Sequence, residues 1–170
     1  PSPVTDAAAE VPAVPAPPRT LWATDLATSA SVELSDAAVL GDIVVIVEEP
    51  TNIVTALELE DGSTRYRVAL PFKGQDVFTP IRIGDQLVLT STTRAAVIDA
   101  NNGALRRAFD LPALIETSPR LSDGLLVATS PTGLVFGIDP DSGLTVWRYQ
   151  MPAAIATSPA IAENLIVVGD

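Results

Sequence analysis

Apolar and polar residues alternate along most of this chain in runs of about four to seven, separated by clusters of Gly, Pro, Asn, Asp and Ser. A period of two puts the apolar residues on one face of a pleated strand, and the clusters between runs supply the turns that end each strand. The stretch from Thr117 to Gln150 shows the unit: TSPRL, LLVAT, a turn at SPTG, LVFGI, a turn at DPDSG, then LTVWRYQ. It predicts four strands in about forty residues, rich in the Val, Leu, Ile, Thr and aromatic side chains that fit a half-buried sheet. No 3.6-residue period persists over a useful length, and prolines interrupt the alanine-rich opening, the only helix-tolerant stretch.

The unit repeats. Gly62, Gly103 and Gly143 lie 41 and 40 residues apart; Pro71, Pro112 and Pro152 follow the same spacing; Pro80, Pro119 and Pro159 lie 39 and 40 apart. Ahead of each glycine stands Glu58, Asp99 or Asp139, and four residues after it Tyr66, Arg107 or Trp147. A fixed period of this length marks an array in which each unit buries its apolar faces against its neighbours.

GIDPDSGLTVWRY, Gly137 to Tyr149, poses a choice between a calcium loop and a hairpin. Counted from Asp139, a calcium loop of EF-hand type needs oxygen ligands at positions 5 and 12 and glycine at 6, where this chain has Gly143, Gln150 and Leu144. The sister segments ELEDG and IDANNG keep a turn-forming pair before glycine and lose the carboxylate set. Turn geometry is what recurs, with glycine taking the positive φ of a tight hairpin. No metal ligand, catalytic residue or cofactor-binding residue is assigned.

Composition narrows the function classes. Twenty-one acidic against ten basic residues give a net charge of −11, which repels phosphate backbones and excludes nucleic acid as a partner. The absence of histidine and cysteine removes Ser/His/Asp catalysis, thiolate metal sites and disulfides. The longest aliphatic run, Ile43 to Val47, is far short of a membrane span, so membrane contact is expected only through a tether or a partner. Residues 1–20 open with PSPVTDAAAEVPAVPAPP, whose six prolines favour an extended linker or tether.

Four antiparallel strands per forty-residue unit describe a β-propeller blade. GIDPDSGLTVW closely resembles the tryptophan-docking motif of pyrroloquinoline quinone (PQQ)-type propellers, Ala-x-Asp-x-x-Thr-Gly-Lys-x-x-Trp, with Gly137 in the Ala place, Ser142 in the Thr place and Leu144 in the Lys place. The TSP triplets at Thr117–Pro119 and Thr157–Pro159 are similar to those of the same family. The expected fold is therefore all-β, with PQQ-like repeats over 21–170: blades near 38–78, 79–117 and 118–156 and a partial one at 157–170, an incomplete ring. Trp22, Tyr66, Arg107 and Trp147, with the motif glycines Gly62, Gly103 and Gly143, are expected to dock blade on blade, and residues 21–26 to form the outer strand of a preceding blade.

The resemblance implies two functions. Catalytic members oxidise alcohols or sugars with the quinone and calcium, using an Asp base and often a vicinal cysteine pair; no such set can be placed here. BamB-like members are non-catalytic extracytoplasmic scaffolds, and an acidic chain behind a proline-rich tether is similar to them in organisation. The leading expectation is a scaffold or adaptor in a membrane-associated assembly, without cofactor and with protein partners; a ligand-sensing extracellular propeller of a receptor or kinase is the alternative. The connector Pro71–Pro80 spans 9 positions where its counterparts span 7, and its Phe72, Lys73 and Phe78 form the candidate interaction site, the alternative being that both rings fold back onto the blade edge. Glu48, Glu49 and Pro50 are expected to make a solvated turn, and Arg65, Arg67, Arg82 and Arg94 to lie on exposed strand faces.

Overall fold

The computed structural model describes residues 20–26, 33–35, 37–162 and 165–169; most of the linker at 1–20 lies outside them. The first sheet contains β1 (Glu33–Leu34), β2 (Ala38–Leu40), β3 (Ile43–Glu49), β4 (Ile53–Glu58) and β5 (Thr64–Ala69). The second contains β6 (Ile81–Ile83), β7 (Gln86–Thr90), β8 (Arg94–Asp99) and β9 (Leu105–Asp110). The third contains β10 (Arg120–Ser122), β11 (Leu125–Thr129), β12 (Leu134–Asp139) and β13 (Leu144–Gln150), and β14 (Ala160–Ala162) pairs with β15 (Leu165–Val167) in the fourth. All pairings are antiparallel between successive strands, except that β1 joins β2 on the same edge of β3. No helix occurs among the described residues, and the architecture is that of a partial all-β propeller with open sheets.

The repeat is kept down to its irregularities. Each whole sheet has a register shift between its last two strands, at Ala56/Leu57, Val97/Ile98 and Gly137/Ile138. A bulge of this kind sharpens the strand twist just before the turn. Opposite it, Tyr66, Arg107 and Trp147 pair with Ala56, Val97 and Gly137, so the three occupy one structural position.

Packing follows the period of two. Leu87 and Leu89 of β7 point into a core shared with Ile43, Val45 and Val54 of the first sheet, whereas Val88 joins Leu126, Phe136 and Ile138 of the third. A strand with both faces covered reads as a continuous apolar run, which explains IVVIV and QLVLT. A third cluster joins Val127, Val135 and Ile155 to Trp147, Met151 and Ile166. Residues 20–26 form no strand, correcting the expected leading strand, although Trp22 still lies over the first sheet and its Nε1 donates to the Leu59 carbonyl at 2.9 Å.

Candidate interaction surface

The blade junctions are built on the turn glycines. Gly62, Gly103 and Gly143 all have φ near +73, a left-handed conformation that favours glycine, and their N–H groups donate to Glu58, Asp99 and Asp139 carbonyls. A Cβ at Gly62 would lie 2.5 Å from the Trp22 ring, and one at Gly103 would lie 2.6 Å from Tyr66 and 2.8 Å from Val68. Trp22, ahead of the first sheet, and Tyr66, on that sheet, thus each sit on the bare backbone of the turn that follows in the series. Arg107 departs from this pattern: it is exposed, and Phe109, two residues on and hence on the same strand face, approaches Gly143 to 2.9 Å of a Cβ there. A branched guanidinium stays hydrated while an aromatic ring gains by leaving water, and the spacing of two is the signal that identifies Phe109.

Trp147 has a different surrounding. Its indole lies against Gly137 of its own sheet, where a Cβ would come within 2.4 Å of Nε1. Gly137 in the Ala place of the motif makes room for that ring.

Polar clamps join the sheets along one rim. Arg65 reaches Asp42 at 2.7 Å and Glu58 Oε1 at 2.6 Å, and Arg82 crosses from the second sheet to Asp42 and to the Leu40 carbonyl. Arg106 bridges Asp85 and Asp99, and Gln86 donates to Asp141 of the third sheet at 2.8 Å. The Arg82 guanidinium, then that of Arg65, holds the Asp42 carboxyl well below the usual carboxylate range; Arg65 does the same for Glu58, and Arg106 for Asp85 and Asp99. Arg65 and Arg82 are therefore tied into ion clusters rather than lying free on strand faces. Glu48 is also corrected: its side chain is 3% exposed and is bound through both oxygens by Arg67 at 2.8 Å.

The connector Pro71–Pro80 is stitched to the turns on either side. Gly74 N–H donates to the Pro50 carbonyl, the Asn52 amide to the Gln75 carbonyl at 3.1 Å, and Phe78 N–H to the Thr90 carbonyl. Val77 makes a β-bridge to Ser91, and the Thr92 and Thr93 hydroxyls approach Gln75 Oε1. Phe72 is buried in the core with the Arg94 guanidinium 6.0 Å above its ring, and Phe78 is half-buried against the second core. This places Phe72 inside the fold instead of on a surface, because the extra connector length lets the ring turn back; Lys73 is exposed. What the connector presents instead is polar. Gly74, Gln75 and Asp76 line a cavity of about 310 Å³ with Glu33, Glu49 and Pro50, and Glu49 also lines a second cavity with Ser35, Thr79 and Ser118. Glu33, Glu49 and Asp76 carried no spacing signal, since β1, β3 and the connector bring them together only in the folded sheet. Among the described residues no group of three or more acidic side chains is arranged to hold a metal ion. Glu58, Asp99 and Asp139 close hairpin turns, Asp139 accepting from the Asp141 N–H and the Ser142 hydroxyl.

With this geometry in hand, likeness to other proteins becomes informative. The family described as outer membrane protein assembly factor BamB matches residues 53–170. BamB from Moraxella catarrhalis superposes with a TM-score of 0.63 at 18% identity, over 75% of this chain and 40% of that one. The computationally designed Ika4 protein gives 0.70 at 13% identity, over 89% and 92%. The quinohemoprotein alcohol dehydrogenase ADHIIG from Pseudomonas putida HK5 gives 0.53 at 18%, over 66% and 20%. The chain spans 40% of the length of the Moraxella protein, and at these identities the structural likenesses establish fold alone. No curated protein sequence matches it.

Proposed function

The chain belongs to the family of outer membrane protein assembly factor BamB, and from that premise we propose that it is a non-catalytic, extracytoplasmic propeller scaffold that binds a protein partner in a membrane-associated assembly. The observation that carries the reading is the connector: a lengthened segment anchored by hydrogen bonds on both sides, which sets Asp76 beside Glu33 and Glu49, themselves paired between β1 and β3, in one acidic rim. A rim fixed before binding loses little entropy when a partner arrives. Its charge, set in a chain of net −11, steers a basic surface toward it. Catalysis finds less support, because the turn carboxylates are occupied by their own backbone or by arginine and do not converge on one cavity.

The test is site-specific photo-cross-linking from position 73 in cells that make the protein, with and without charge reversal by Glu33→Lys, Glu49→Lys and Asp76→Lys. A discrete adduct lost on charge reversal is the expected result. Recovery of bound quinone with alcohol oxidation, or an adduct indifferent to charge reversal, would sink the proposal.

A further inference from the structure

Asn102–Gly103 is the one Asn-Gly pair in the chain, and it lies in the turn between β8 and β9; the equivalent pairs in the first and third sheets are Asp61–Gly62 and Ser142–Gly143. All three turns share one construction. The side-chain oxygen of the residue before the glycine accepts the N–H two residues on: Asp61 Oδ1 from Ser63 at 2.9 Å, Asn102 Oδ1 from Ala104 at 2.8 Å, Ser142 Oγ from Leu144 at 3.2 Å. The glycine N–H donates to the carbonyl of Glu58, Asp99 or Asp139. Chemically the three differ, because only Asn102 carries a side-chain amide that can lose ammonia to attack by the next backbone nitrogen. Glycine, without a Cβ, leaves that approach open. The Asp61 carboxyl is held below the usual carboxylate range by the Ser63 hydroxyl and N–H, and an ionised carboxylate is a poor electrophile.

We infer that Asn102 is a site of spontaneous deamidation, gated by the junction between the first two sheets, and that its isoaspartyl product leaves that junction unable to close. The Gly103 nitrogen gives up its proton to hydroxide or buffer base and bonds to Asn102 Cγ; the Cγ–Nδ2 bond breaks, and ammonia leaves with a proton taken from water. A cyclic imide results, which water then opens in one of two ways. Attack at Cγ breaks the new bond to nitrogen and returns an ordinary aspartate. Attack at the main-chain carbonyl carbon breaks its bond to the Gly103 nitrogen, so the backbone now runs through Cβ and Cγ and is one carbon longer. Either way one water is consumed, one ammonia is released and a carboxylate replaces the amide.

The closed turn blocks the first step. Gly103 N–H is engaged by the Asp99 carbonyl at 2.8 Å, Asn102 Oδ1 is held on Ala104, and the Cβ position of Gly103 lies 2.6 Å from the Tyr66 ring and 2.8 Å from Val68. The nitrogen cannot swing onto Cγ until the first sheet lifts away, so the rate is set by how often the junction opens. The two products then part. Aspartate at 102 reproduces the first turn, where Asp61 makes the same bond and Trp22 still covers Gly62. Isoaspartate inserts a backbone atom within the turn and moves Gly103 out of the register in which it meets both Asp99 and Tyr66. A transient opening thereby becomes permanent, and the reaction needs nothing bound at the connector.

The test is incubation of the whole protein at neutral pH, with the tryptic peptide 95–106, AAVIDANNGALR, followed by mass spectrometry and its isoaspartate identified by backbone fragmentation. The synthetic peptide 94–110 gives the rate with no junction present. Deamidation at Asn102 should be at least about tenfold slower in the protein than in the peptide, and Tyr66→Ala should speed it at least about threefold. Val68→Ala, which keeps the ring, should speed it less; circular dichroism checks the fold of both variants. Trp147→Ala, away from this turn, should leave the rate unchanged. In a Tyr149→Phe protein, where Tyr66 is the one tyrosine left of two, the isoaspartyl fraction should show the Tyr66 pKa falling from about 12 toward the ordinary tyrosine value, whereas Asn102→Asp keeps it raised. Equal rates in protein and peptide, or a rate that neither junction variant changes, would overturn the gating. Product confined to Asn101, no product in the protein once the peptide has reacted fully, or an isoaspartyl fraction with the Tyr66 pKa still raised would overturn the assignment.

Discussion

Strands β5 and β13 hold the same place in their sheets and are buried to different degrees. Tyr66 on β5 is 8% exposed, whereas on β13 Trp147 is half-buried and its neighbours Val146 and Tyr149 are 58% and 62% exposed. The two share strand position, register and bulge, so local structure does not make the difference. The neighbouring turn does. Tyr66 is covered by Gly103 of the second sheet, whereas among the described residues Trp147 meets Gly137 of its own sheet and no turn glycine of a next one. An outer strand in this array owes its burial to the next sheet, so the energetics of a blade are distributed over its junctions.

Gly103→Val should produce the largest effect, because it attacks the covered junction from the turn side. The new side chain meets the Tyr66 ring at 2.6 Å while forced to hold φ +72. Left-handed strain and overpacking together are expected to cost roughly 3 to 5 kcal/mol. Gly124 provides the control: its φ is +78 but a Cβ there meets nothing within 4 Å, so Gly124→Val keeps only the backbone part, about 1 to 2 kcal/mol. Urea unfolding of both variants measures the gap, and equal losses would show that the junction contributes nothing beyond turn conformation.

Truncating the rings sharpens the same contrast. Tyr66→Ala is expected to lose about 3 kcal/mol, the range for emptying a buried aromatic site, and Trp147→Ala about 1 kcal/mol because half of that ring already faces water. Tyr66 has a second mark of confinement: its hydroxyl is buried without a hydrogen-bond partner, and burial pushes its pKa up to about 12. Absorbance titration of the tyrosinate in a Tyr149→Phe protein follows that group alone, there being two tyrosines in the chain, and a Trp147→Ala loss as large as that of Tyr66→Ala would reject the account of junction burial.

The period of forty, the four-strand unit and the turn glycines were legible because each depends on residue types that physics restricts locally. Only glycine tolerates Gly103's φ beneath a ring, and only alternation makes LLVAT or LVFGI a two-faced strand. What escaped depended on partners distant in sequence. Glu48 reads as a solvated acid until β5 brings Arg67 across from it, 19 residues away. Phe72 reads as a loop aromatic until Arg94 and the first core enclose it. The repeat points to Arg107 because it fixes a position, whereas the junction requires only a face, which two positions on a strand share, and Phe109 takes it. The acidic rim at the connector has no signal in any single window, because β1, which supplies Glu33, is an addition to the first sheet that the other repeats lack.

The smallest expected effect separates the same two regions by charge. Asp42, Glu58, Asp85 and Asp99, in the first two sheets, are held below the ordinary carboxylate range by arginine; Asp139, in the third, is held there first by the Ser142 hydroxyl and the Asp141 N–H. A depressed carboxyl stabilises the fold above its unfolded pKa, and that contribution is lost as pH falls through its folded value. Amide protection in all three turns, measured against the unstructured exchange rate at each pH, should therefore fall from about pH 5 to about pH 2. These groups are exposed, so the gain is modest and ion pairing is screened by salt while short hydrogen bonds are not. At neutral pH, added salt should quicken exchange at 58–63 and 99–104 and leave 139–143 nearly unchanged. An equal salt response in the three turns would mean that the arginine clamps do not set the stability of the covered blades, and that the contrast between β5 and β13 is one of apolar burial alone.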